Sequence, residues 1–90
     1  MLKDELYILY DESETTQTRY ISFAGESHRF DLGITVTDRF YGKLLVFNIQ
    51  SNRYALIGED DLEEPGYLEH VYGITEDEAT ELRDFLHTLF

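Results

Sequence analysis

The chain has 90 residues, no cysteine, and a formal net charge of −12 at neutral pH. Its 42% hydrophobic and 14% aromatic content suits one folded domain with one modest core. Without cysteine there are no disulfides, thiolate metal sites or cysteine nucleophiles, and so acidic a surface disfavours nucleic acid and anionic membranes, which draw affinity from Lys and Arg.

The amino terminus, Met1-Leu2-Lys3-Asp4-Glu5, places acids where a secretory leader has bases. No apolar run approaches the roughly 20 residues that span a bilayer, and a small domain without staples fits a reducing compartment. A cytoplasmic location is therefore expected. Leu6, Ile8 and Tyr10 alternate with Tyr7 and Leu9, which predicts a strand from about residue 5 to 10. Residues 11–17, DESETTQ, lack periodicity and read as a loop. Arg19 to Ala24 reads as the next strand, with Ile21 and Phe23 on one face and Tyr20 and Ser22 on the other. Gly25-Glu26 then turns the chain toward His28.

Residues 30–57 form the architectural centre. Phe30, Leu32, Ile34 and Val36 alternate with Asp31, Gly33, Thr35 and Thr37, the period of a half-buried strand. Gly33 within that run implies a bulge or a close neighbour. Gly42 suits a left-handed turn position. The unbroken apolar run Leu44 to Phe47 predicts a central strand covered on both faces. Ser51-Asn52 reads as a two-residue hairpin loop, and Arg53 to Ile57 returns as a third strand of this meander.

GEDDLEEPG, residues 58–66, is a loop in which Pro65-Gly66 occupy the preferred middle positions of a type II turn. Tyr67, Leu68, Val71 and Tyr72 give a short helix one apolar face, closed by Gly73. Thr75-Glu76-Asp77-Glu78 matches a capping box, with Ile74 and Ala79 placed as a hydrophobic staple. Ala79, Leu82, Phe85, Leu86 and Leu89 continue as an amphipathic stripe. The expected fold is α+β, a single domain over residues 1–90: a four- or five-stranded antiparallel meander sheet, a short helix, and a C-terminal helix packed on one sheet face.

Charge is unevenly placed. Residues 1–57 hold eight acids and six bases, whereas residues 58–90 hold eleven acids and one base, Arg83. Asp60, Asp61, Glu63 and Glu64 crowd into five positions, yet lack the alternating ligands and central glycine of a calcium loop. They are candidates for meeting a basic protein, with Tyr41 and Tyr67 as exposed aromatic anchors. The alternative is a solvated acidic loop whose role is solubility. His28 and Arg29 form a second candidate, a base and an anion clamp for a small molecule or an enzyme reaction. Their competing reading is a pair of solvated strand-edge residues. His70 and His87 lack zinc-site spacing, and no catalytic template or cofactor motif occurs.

The chain carries, in this order, His28-Arg29-Phe30-Asp31, Phe40-Tyr41-Gly42-Lys43, Asn52-Arg53, Asp60-Asp61-Leu62 and Glu64-Pro65-Gly66-Tyr67-Leu68-Glu69. Over residues 16–90 the chain resembles a family of small uncharacterised proteins from Gram-positive bacteria, classed as a domain of unknown function. The resemblance implies a bacterial cytosolic protein and brings no catalytic residues. The leading expectation is a non-enzymatic acidic interaction module for a basic protein surface, with nucleic-acid mimicry as one variant. A small-molecule site at His28 and Arg29, or a homodimer joined at a sheet edge, is the alternative.

Overall fold

The computed structural model describes residues 6–90. Four strands form one antiparallel sheet in sequential order: β1 (Gln17–Ala24), β2 (Arg29–Val36), β3 (Leu44–Asn48) and β4 (Arg53–Ile57). A 3-10 turn at Asp38–Phe40 links β2 to β3. A second, at Glu59–Glu63, leads into α1 (Tyr67–Tyr72) and α2 (Glu76–His87). This is the expected α+β meander with a short helix before the C-terminal one.

The helices cover one sheet face because alternation there is apolar. Phe30, Leu32 and Ile34 on β2, Val46 on β3, and Ala55 and Ile57 on β4 are buried with Leu62, Leu68, Tyr72, Ala79, Leu82 and Leu86. Burial of such side chains at about 25 cal/mol per Å² is the main force joining the two layers. Tyr72 is wholly buried, and its hydroxyl donates to the Val46 carbonyl at 2.8 Å, so its polar tip is satisfied. Phe23 stacks on Phe85 at 4.3 Å between ring centroids, fastening β1 to α2.

The local signals at the helices are realised. The Thr75 hydroxyl accepts from the Glu78 amide at 3.2 Å, and the Glu78 carboxylate accepts from the Thr75 amide at 2.9 Å. Gly66 has φ 78 and ψ 0, and the Tyr67 amide donates to the Glu64 carbonyl at 3.2 Å, as a type II turn over Pro65-Gly66 requires. Gly33 is not bulged. It pairs in regular register with Tyr20 and Phe47, whose rings lie over the space a side chain would fill.

Four expectations are corrected. Leu6 to Tyr10 is not a strand: all five residues are exposed, and the fifth strand is absent among the described residues. Residue 5, the start of that expected strand, lies outside them. Phe47 is partly exposed, so β3 is covered on one face only. The apolar run 44–47 misled because β3 spends one of its large residues on the open face. The β3–β4 hairpin loop is the four residues Ile49 to Asn52, closed by the Asn52 amide on the Ile49 carbonyl at 3.3 Å. Finally, β1 begins at Gln17, two residues before the expected strand.

Candidate functional site

The acidic stretch 59–64 is divided by the fold. Asp61 turns inward: its carboxylate accepts from the Gly58 amide at 2.8 Å and from Lys43 Nζ at 3.1 Å. Those contacts, the Gly58 amide foremost, hold its pKa below the usual carboxylate range, and Asp61 in turn raises that of Lys43. Asp61 is thus a clamp between the β2–β3 connection and the second 3-10 turn. Asp60, Glu63 and Glu64 point to solvent, with Glu63 lying 3.5 Å from His87 Nε2.

A hollow of about 500 Å³ opens between the second 3-10 turn, α1 and α2, rimmed by Glu63, Glu64, Glu69 and Glu76. Arg83 enters it from α2, but its Nε donates to the Leu62 carbonyl at 3.1 Å, and NH2 lies 3.8 Å from Glu69 Oε1. The one base of the C-terminal third is therefore engaged within the fold, leaving three more acids than bases around the hollow. Glu76, Thr80 and Arg83 reach it by their i, i+4, i+7 spacing on α2, a periodicity already present in the sequence. Among the described residues no three His, Asp or Glu side chains are grouped as a metal site would require.

Of the two aromatic candidates, Tyr41 is 98% exposed and sits at a left-handed φ of 53 in the β2–β3 connection. Tyr67 departs from expectation. It is half-buried, with its hydroxyl donating to the Leu56 carbonyl at 3.1 Å, so it covers the β4 backbone.

His28 is tied to α2. Its Nδ1 bonds Glu81, whose carboxylate also accepts the Ser27 amide at 2.9 Å and the His28 amide at 3.4 Å. The Ser27 amide is the main cause that lowers the Glu81 pKa, with His28 adding to it, and the bond to Glu81 raises the pKa of His28. Glu81 thereby closes the β1–β2 turn. Arg29 faces solvent and reaches Asp31 at 3.3 Å; Asp31 also accepts from Ser22 Oγ. His28 and Arg29 are not on the rim of the acidic hollow. No local sequence signal foretold the His28–Glu81 contact, since its partners are 53 positions apart.

The uncovered sheet face is the third feature. Tyr20, Phe47, Ile49 and Tyr54 stand on it around a shallow depression of about 610 Å³ floored by Gly33. Phe47 and Tyr54 are neighbours across β3 and β4, with ring centroids 5.9 Å apart.

A single-sheet α+β protein with an acidic helical layer and an aromatic open face is the class these features define. The chain belongs to the SAV0927-like family of uncharacterised small proteins, whose family model matches residues 9–88. No curated protein matches it. No helix among the described residues is long and apolar enough to cross a membrane.

Proposed function

We propose that the protein is a non-enzymatic interaction module whose acidic helical layer receives a basic protein surface in the cytosol of a Gram-positive bacterium. The observation that carries this reading is the engagement of Arg83. With Arg83 held by Leu62 and Glu69, the hollow rimmed by Glu63, Glu64, Glu69 and Glu76 has the size and charge to accept a lysine or arginine side chain of a partner. Asp60 on the adjoining turn extends the same field. Asp61 supports it by bracing the turn, and Tyr41 lies apart from the hollow's rim.

The reading is tested with three tagged baits in bacterial lysate: the wild type, a hollow variant with Glu63, Glu64, Glu69 and Glu76 changed to Gln, and a control. The control removes the same number of charges elsewhere, through Glu26→Gln, Glu59→Gln, Asp77→Asn and Asp84→Asn. A basic protein kept by the wild type and control, shed by moderate salt and lost from the hollow variant is the expected result. Equal loss from both variants reduces the effect to bulk charge, and equal retention by all three removes the hollow from the account.

A further inference from the structure

Two apolar surfaces lack partners among the described residues, and they are continuous with each other. Leu6, Tyr7, Ile8, Leu9 and Tyr10 are each 70–91% exposed. From Asp11 to Thr16 the chain makes no turn or helix before it enters β1. β1 is the sheet's outer strand, eight residues long, and among the described residues it pairs with β2 alone. It contains no proline and a single charge, Arg19. A long, flat, nearly uncharged edge of this kind is a template for another strand.

The stem of the arm is tied to the β2 side of its own β1. Arg39 holds Glu12 at 2.7 Å and Glu14 at 2.6 Å, and Thr37 Oγ1 donates to Glu14 at 2.7 Å. These contacts pin the stem of the arm against the β2–β3 connection. The arm therefore extends the line of β1 away from the sheet.

We infer that a second copy of this chain is the occupant of the β1 edge, and that its residues Leu6 to Tyr10 lie along that edge as a fifth strand. A strand whose own extension is the pairing segment closes with two-fold symmetry. An axis through residues 11–16 lays each arm antiparallel to the other copy's β1. Alternation then places one side of the arm beside Ile21 and Phe23, which are only half covered by the helices, and the other beside Tyr20. Near the axis Asp11, Glu12 and Glu14 of each copy are countered by Arg39, and the apolar arm and edge must offset the acidic excess that remains. The arm carries no charge and β1 one positive charge, whereas the helical layer concentrates the acids that make two copies repel. The two acidic layers end on the same side of a continuous sheet, so added salt strengthens this dimer, opposite to its effect on a basic partner.

Sedimentation equilibrium of the full chain, with hydrogen exchange of the β1 amides, tests the assignment. The comparison is the triple variant Leu6→Ser, Ile8→Ser, Tyr10→Ser, whose altered side chains are exposed in the single chain. Expected are a concentration-dependent rise from 10.6 kDa toward twice that mass and protection, lost on dilution, of those β1 amides that face away from β2. The variant should match the wild type's melting temperature at concentrations where both are monomeric, and should dimerise roughly tenfold or more weakly. A wild type still monomeric at about 1 mM overturns the proposal. So does a dimer indifferent to the triple substitution. A monomer whose β1 protection is independent of concentration but lost in the variant overturns it in favour of the chain's own arm.

Discussion

Glu81 shows how one side chain can organise residues far from it in sequence. It accepts from the Ser27 and His28 amides and bonds the His28 ring, joining α2 to the β1–β2 turn. Gly25 is needed beside it, because a Cβ there would fall on the Glu81 carboxylate. Gly25→Ala should therefore displace Glu81 and lower the melting temperature by about as much as Glu81→Gln. The sign of the pH dependence follows from both partners. The raised pKa of His28 contributes stability that is complete below the ordinary histidine value of 6.5 and fades as pH rises through the folded value. The lowered pKa of Glu81 contributes stability that is complete above the ordinary glutamate value of 4.5 and fades as pH falls through the folded one. Calorimetry should find Glu81→Gln most damaging between those two values and milder above the His28 titration. A loss that is flat with pH would leave only the amide bonds as Glu81's contribution. Tyr72 offers a sharper deletion: Tyr72→Phe keeps the ring but strips the donor from the buried Val46 carbonyl. It should cost about 1–2 kcal/mol in denaturant unfolding.

Among the elements, α2 was the most legible because its instructions are local. A hydroxyl at Thr75, a carboxylate at Glu78 and an apolar stripe suffice to start the helix and orient it. Thr75→Ala should destabilise the protein by about 1 kcal/mol with little change in denaturant slope. The Pro65-Gly66 turn was legible for the same reason, as were the meander strands from their alternation. What failed depended on distant partners. Leu6 to Tyr10 has the composition of a strand, but strand formation needs a neighbour with free backbone groups, and Glu12 and Glu14 are held elsewhere by Arg39. The run from Leu44 to Phe47 announced burial on two faces, but the described residues supply a single helical layer. At the candidate site, clustering of acids was plain from composition. The inward turn of Asp61 and the withdrawal of Arg83 were not, because each is set by a contact with a different segment, Lys43 and Leu62 respectively. The β1–β2 and β3–β4 pairings thus emerge from pattern, whereas the roles of individual charges emerge from packing.

At the scale of the molecule, the sheet divides a nearly neutral half from a strongly acidic one. Residues 1–57 sum to −2, and residues 58–90, which build the second 3-10 turn and both helices, sum to −10. Neutralising four of those acids should raise stability slightly at low salt, because like charges crowded on one layer repel. The gain should shrink as ionic strength rises and the Debye length falls below roughly 10 Å. Thermal melts of a variant with Glu59→Gln, Asp60→Asn, Glu64→Gln and Asp84→Asn at low and moderate salt would show it; a gain that persisted unchanged with salt would point to packing instead. The same division gives the molecule a large electric dipole directed across its thin dimension. In the field of a cationic surface it would rotate before touching, helices inward. The face bearing Tyr20, Phe47 and Tyr54 would then be turned outward to whatever arrives next.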